Sequence, residues 1–102
     1  MAVRGTPPRL VVDTSVAAKW YLTEELEKEA QEILDAGQRG EMLLLAPKSV
    51  EPELWNVLWQ RQRRGELSPE EVRGYWSNFR EIPIFLTDVR QLMPLAAEVT
   101  LQ

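Results

Sequence analysis

Two acidic residues, each downstream of an apolar run, are the strongest candidates for chemistry in this chain. Asp13 directly follows Leu10-Val11-Val12, and Glu53 comes a few residues after a second run at 42–47. Such runs are typical of buried parallel strands, and α/β sheets bind ligands just outside the carboxyl ends of their strands. Because the chain contains no histidine and no cysteine, two carboxylates at one sheet edge favour hard ions such as Mg²⁺ or Mn²⁺. Ions of this kind support phosphodiester hydrolysis.

Each acid also has a purely structural explanation. Asp, Thr and Ser are good helix N-caps, so Asp13 can cap the helix that follows it. Glu53 can complement the positive N-terminal end of its helix, and Glu51 would serve that purpose equally well. Asn56 lies three residues after Glu53 and shares its helix face. The spacing alone leaves both explanations open for both acids.

Composition restricts the class of protein. The chain has 102 residues, of which 44% are apolar and 27% charged, as expected for one folded domain. No apolar run is long enough to span a membrane, and residues 1–9 lack the apolar core of a signal peptide, so we expect a cytoplasmic protein. The net charge of −4 argues against a nonspecific polycation that coats nucleic acid. It leaves open an enzyme whose acids surround metal ions.

Apolar runs alternate with helical spacing along the chain, which predicts an α/β fold with a parallel sheet and helices around it. The predicted strands are 9–12, 42–47 and 82–87. About five helices are predicted. The first covers 16–22, and the second restarts at Thr23 and is closed by Gly37 and Gly40; the other three are one capped by Ser49, one that starts at Ser68 and one capped by Asp88. A thin sheet and a last helix that runs to residue 102 predict a domain that is incomplete at its C-terminus. Residues 1–8 are expected to form a loose lead-in.

Two local patterns are especially informative. Ser68 is followed by Pro69 and, three positions after the serine, by Glu71, which predicts a capping box with proline in the first helical position. Pro83 interrupts the third apolar run, so that strand should lie at an edge or begin near the proline. The aromatic residues of 75–79 follow at helical spacing and indicate a core or interface stripe.

Two ordered segments resemble PIN-domain proteins, particularly the VapC-type toxins of bacterial toxin–antitoxin pairs. Residues 10–22 resemble the family's opening, in which an apolar strand leads into Asp-x-Ser and then a helix with a Lys-aromatic pair. Residues 46–58 are similar to its second motif, with a helix-borne Glu and an Asn three residues later. Residues 64–71 match a common linker of these proteins. The similarity covers nearly the whole chain from Arg9 onward.

The resemblance implies a three-layer α/β/α fold and a metal-dependent endoribonuclease that uses Mg²⁺ or Mn²⁺. Asp13 and Glu53 would bind the metal, while Ser15 and Asn56 would orient these acids or a bound water. The substrate would be tRNA, rRNA or mRNA. The partner would be a small antitoxin protein whose tail occupies the acidic groove.

The chain departs from the family at its end. Family members continue with a helix that carries a third acid, often in a Tyr-Asp-Ala context, and with a strand that brings another Asp. Asp88 begins the helix after the third strand and is interpreted as a cap. With two acids in place of three or four, weaker metal binding is expected. The alternative is a truncated, catalytically inactive PIN fragment that serves only for dimerisation or antitoxin binding.

Other features are less specific. Basic residues are concentrated in the second half of the chain, namely Arg61, Arg63, Arg64, Arg73 and Arg80. They could follow an RNA backbone, meet an acidic antitoxin, or form a solvated helix face. Four tryptophans in so short a chain favour a homodimer interface. Phosphoryl transfer on Asp13 is set aside, because haloacid-dehalogenase-like phosphatases need an Asp where Ser15 stands and receiver domains need an earlier acidic pair.

Overall fold

The computed structural model describes residues 7–22, 28–88 and 90. In chain order the elements are β1 (Arg9–Val11), α1 (Thr14–Leu22), α2 (Lys28–Gln38), β2 (Leu43–Pro47), α3 (Val50–Arg63), α4 (Pro69–Glu81) and β3 (Ile84–Thr87). Within these residues the fold is mixed α/β, with four helices and one three-stranded sheet in the order β1-β2-β3. Both strand pairs are parallel. The predicted α/β class with a parallel sheet is therefore confirmed.

The strand register brings the carboxyl ends of the three strands to one edge of the sheet. Leu10 pairs with Leu44, and Leu45 pairs with Phe85. The Val12 N–H donates to the Leu45 carbonyl over 2.6 Å, which extends the β1–β2 pairing past the end of β1. The residues directly after β1 and the start of α3 therefore lie at the same edge.

One apolar row of α3 sets the rotation of that helix. Val50, Leu54 and Leu58 recur every four residues and are fully buried in the core. This spacing places them on one helix face. With that face buried in the core, Glu53, one position before Leu54, lies at the exposed side of the helix next to the core.

The helix starts follow their capping chemistry. At α4 the Ser68 hydroxyl accepts from the Glu71 N–H over 3.0 Å, and the Ser68 N–H donates to the Glu71 carboxylate over 2.8 Å, so the predicted capping box is confirmed. Ser49 does occupy the N-cap position of α3, but its side chain makes no capping hydrogen bond. The predicted capping interaction of Ser49 is wrong, because its backbone is in the helical region and not in the extended conformation that typical N-caps adopt.

Three of the differences between the predicted and the observed element boundaries have a local physical reason. Gly37 lies inside α2 and is buried against Leu44, whereas Gly40, with φ of 76°, closes the helix as expected. The α1 helix begins at Thr14, earlier than the predicted residue 16. The third strand begins at Ile84, immediately after Pro83, and is the last strand in the sheet order, which agrees with both effects expected of that proline.

Several predictions fall outside the described residues. These are the beginning of the second helix at Thr23, the helix after Asp88 apart from exposed Arg90, and most of the lead-in. Within the described ranges, none of the helices combines the length and apolar content that a membrane span requires.

Candidate functional site

Asp13 stands between the end of β1 and the start of α1, where its side chain caps the helix. Its Oδ1 accepts hydrogen bonds from the Val16 N–H over 2.9 Å and from the Ser15 hydroxyl over 2.7 Å. Its carbonyl oxygen accepts from the Ala17 N–H over 3.1 Å. These contacts are those of an N-cap residue and explain why α1 begins at Thr14. Asp13 is nevertheless exposed, and both side-chain hydrogen bonds use the same carboxylate oxygen.

Glu53 projects from the first turn of α3 towards the start of α1. The Thr14 hydroxyl donates to Glu53 Oε1 over 2.5 Å, although the two residues are 39 positions apart in the chain. Thr14 is the immediate neighbour of Asp13, so the hydrogen bond holds the two acidic segments together at the carboxyl edge of the sheet. Glu51, in the same helical turn, makes no such contact with Thr14. Both glutamates could complement the positive N-terminal end of α3, but only Glu53 accepts a hydrogen bond from Thr14.

The other two predicted site residues differ in their surroundings. Ser15 donates its hydroxyl to Asp13 and so orients that carboxylate. Asn56 is exposed one turn after Glu53, and within the described part of the chain its side chain makes no hydrogen bond. Its amide is therefore available to solvent or to a ligand beside Glu53. The structure thus links Ser15 to Asp13, and links Glu53 to Thr14, the chain neighbour of Asp13; it shows no hydrogen bond of the Asn56 side chain with any of them.

Thr14 is the residue that sequence analysis did not single out as part of the site. Its position between Asp13 and Ser15 indicates only a further capping candidate. Its contact with Glu53 depends on how α1 packs against α3, which is set by buried residues such as Ala17 and Leu54. A hydroxyl one position after the acid of the first motif is the only sequence signal for this role.

The donor atoms of this group suit a hard divalent ion. Asp13 and Glu53 offer carboxylate oxygens, both side chains are exposed, and neighbouring donors are hydroxyls. Mg²⁺ binds through one or two carboxylates and completes its shell with water or substrate phosphate oxygens. Among the residues that the structure describes, no group of three or more acidic, histidine or cysteine side chains is placed to hold a metal, and Asp88 does not complete one. The donor set therefore fits an ion held by two carboxylates.

Aromatic and basic residues continue from this group along α3. Trp55 and Trp59 are 41% and 42% exposed. The Arg63 guanidinium lies over the Trp59 ring, 4.9 Å from its centroid. By contrast, Trp20 serves the fold, since its indole N–H donates to the Ala30 carbonyl over 2.9 Å. The number of tryptophans is therefore larger than the number that is available for an interface.

No protein-family model and no curated protein sequence matches this chain.

Proposed function

We propose that this chain is a PIN-like, metal-dependent endoribonuclease of the VapC toxin class, which hydrolyses RNA phosphodiester bonds. The observation that carries the proposal is the hydrogen bond between Thr14 and Glu53, since it joins the second acid to the segment of the first. The resemblance of residues 10–22 and 46–58 to the PIN motifs supplies the substrate class. In this proposal the protein acts in the cytoplasm and is restrained by a cognate antitoxin.

Asp13 and Glu53 would hold Mg²⁺ or Mn²⁺ in this site. The bound ion supplies Lewis-acid chemistry to phosphodiester hydrolysis. Asp13 is preorganised for binding because Ser15 and the Val16 N–H fix its carboxylate. Glu53 is fixed in the same way by Thr14. Carboxylates that neighbouring donors already orient lose little conformational freedom when they bind an ion.

Asn56 completes the proposed site on the substrate side. Its amide has both donors and an acceptor, and it lies on the same face of α3 as Glu53. We infer that it hydrogen-bonds a phosphate oxygen or the attacking water next to the ion. Two carboxylates alone would give weak metal binding, so we expect cleavage to need free ion in excess.

A second candidate is an inactive PIN-like module that only dimerises or binds an antitoxin. It is favoured by the absence, within the described residues, of a group of three acids placed to hold a metal. The exposed Trp55 and Trp59 would supply its apolar contact surface. The two candidates differ in whether the chain itself cuts RNA.

The test is cleavage of a mixed structured RNA by the 102-residue chain in the presence of Mn²⁺. We expect cleavage by the unmodified protein and by Glu51→Gln, which is the matched control in the same helical turn. Asp13→Asn and Glu53→Gln should abolish it, and excess EDTA should do the same. Undiminished cleavage by Asp13→Asn would rule out this site, whereas no cleavage by any variant would favour the inactive module.

A further inference from the structure

The outer face of α3 consists of Trp55, Trp59, Gln60, Arg63 and Arg64 and is exposed to solvent except where Trp55 meets α4. It lies opposite the buried row of the same helix. Trp55, Trp59 and Arg63 are four residues apart and therefore form one row along the helix. Gln60 and Arg64 form the adjacent row, which leads back towards Asn56. The outer face therefore adjoins the face that carries Glu53.

Large aromatic rings on this surface are held in fixed orientations and are only partly covered. Trp55 packs edge-on against Trp76 of α4, with ring centroids 5.3 Å apart. Trp59 is covered on one side by the Arg63 guanidinium. Both indoles remain about two-fifths exposed, at 41% and 42%. A rigid, half-exposed indole is suited to stacking against a flat partner.

Cationic groups lie beside these rings. Gln60, Arg63 and Arg64 line a surface pocket of about 260 Å³. Arg61, on the other side of the helix, is engaged by Glu66 at 3.3 Å, and Arg73 of α4 by Glu70 at 3.6 Å. No ion pair within the described residues engages Arg63 or Arg64. Their guanidinium groups are therefore available to an anionic ligand at the C-terminal end of α3.

We propose that the outer face of α3 binds single-stranded RNA, with a base stacked on Trp59 and phosphates contacted by Arg63 and Arg64. Aromatic rings beside arginines are a combination that suits single-stranded nucleic acid, because every base has a stacking face and every linkage a negative charge. Arg63 is ten residues after Glu53, or about 15 Å along the helix. A strand that follows α3 from the arginines would thus reach the acid pair. The choice of RNA rests on the proposed function.

A second copy of this chain is the main competing occupant. A two-fold interface centred on this face would cover the Arg63 and Arg64 guanidinium groups, and the face itself contains no acidic residue to pair with them. Burying a charged group without a partner of opposite charge is unfavourable. Complementary charge therefore favours a polyanion over self-association at this surface.

The experiment measures binding of a short, fluorescein-labelled single-stranded RNA by anisotropy in EDTA, so that metal binding and cleavage do not contribute. We expect Trp59→Leu to weaken binding by about fivefold or more, as loss of a base-stacking ring does. Arg64→Gln should weaken it as well and lower the slope of log affinity against log salt by about 0.7. Phe85→Leu, which removes a 58% exposed aromatic ring from β3, and Arg73→Gln, which removes one positive charge from α4, should bind as the unmodified chain does.

Failure of this inference can be told apart from failure of the proposed function. Equal affinity of the unmodified chain, Trp59→Leu and Arg64→Gln would overturn the inference even if RNA is cleaved. The same holds if the unmodified chain does not bind, or if Trp59→Leu changes only the sedimentation coefficient, as loss of a dimer would. Suppose that Trp59→Leu and Arg64→Gln weaken RNA binding, the two control variants do not, and the unmodified chain shows no Mn²⁺-dependent cleavage. That result would support the inference and contradict only the proposed nuclease activity. Arg64→Gln changes an exposed residue, so it remains informative if Trp59→Leu does not fold.

Discussion

Thr14 and Glu53 are 39 residues apart in sequence, and the Thr14 hydroxyl donates to Glu53 Oε1 over 2.5 Å. The contact crosses from the first turn of α1 to the first turn of α3. It is possible because β1 and β2 are parallel neighbours, so the helices that follow them begin at the same sheet edge. Two separate sequence motifs are thereby joined at one edge of the sheet.

The Thr14 hydroxyl is expected to position Glu53 for metal binding. Thr14→Val keeps the shape of the side chain but removes the donor, so Mn²⁺ affinity should fall about tenfold, as for other residues that orient a metal ligand. The free energy of unfolding should fall by about 0.5–1 kcal/mol, the net contribution of a solvent-accessible hydrogen bond. Thr14→Ser retains the hydroxyl and should restore both quantities. Mn²⁺ titration and urea unfolding measure these effects; equal Mn²⁺ affinity in Thr14→Val and Thr14→Ser would contradict the positioning role.

Asp13 should have two separable roles. Asn is as good an N-cap as Asp, so Asp13→Asn should leave stability nearly unchanged while it removes the metal-binding charge. Asp13→Ala removes both and should lower the free energy of unfolding by about 1 kcal/mol. Urea unfolding of the two variants makes the comparison. If both variants were equally destabilised, capping through Oδ1 would not be what Asp13 contributes to the fold.

Much of the fold is predictable from this sequence because its local signals agree with one another. The apolar runs mark the three strands, and the Ser68–Glu71 box marks the start of α4. Gly37 shows where such reasoning fails. Glycine near a helix end usually indicates the residue that terminates the helix, but here Gly40 has the positive φ, and at Gly37, the second-last residue of α2, the missing Cβ makes room for Leu44 of β2. That requirement depends on how α2 packs on the sheet, which local sequence does not encode.

The site is predictable to a smaller extent. The position of each acid after a strand predicts that Asp13 and Glu53 share one edge, and the register agrees. The choice of Glu53 over Glu51 as the partner of Thr14 depends on the rotation of α3, which the buried row Val50, Leu54 and Leu58 fixes. The metal-binding roles of Asp13, Glu53, Ser15 and Asn56 remain predictions.

Substitution by alanine should change the free energy of unfolding in opposite directions at Gly37 and Gly74. A Cβ at Gly37 would clash with Leu44 Cδ1 and lie 2.8 Å from its Cγ, and Leu44 is fully buried and cannot move aside. Overpacking of this kind should lower the free energy of unfolding by about 1–3 kcal/mol. Gly74, inside α4, has open space around its Cα, so Gly74→Ala should raise it by about 0.5–1 kcal/mol. Thermal or urea unfolding measures both; stabilisation by Gly37→Ala would contradict the close packing of α2 on β2.

Tyr21 should make stability sensitive to alkaline pH. Burial raises the pKa of the Tyr21 phenol above its ordinary value, and its hydroxyl donates to Asn78 Oδ1 over 2.7 Å. Because the pKa is higher in the folded state, this contribution is complete below the unfolded pKa of about 10 and is lost as pH rises beyond it. From about pH 9 to about pH 11 the unmodified chain should therefore lose more stability than Tyr21→Phe. Urea unfolding at both pH values tests this, and parallel losses in the two proteins would contradict it.

Direct binding of Mn²⁺ tests the central claim, that Asp13 and Glu53 form one site for a divalent ion. Titration of the 102-residue chain, with free Mn²⁺ followed by electron paramagnetic resonance, measures this without relying on activity. We predict a saturable site that Glu53→Gln weakens by about tenfold or more, while Glu51→Gln, in the same helical turn, leaves its affinity unchanged. Equal affinities of Glu53→Gln and Glu51→Gln, or no saturable binding by the unmodified chain, would contradict the account.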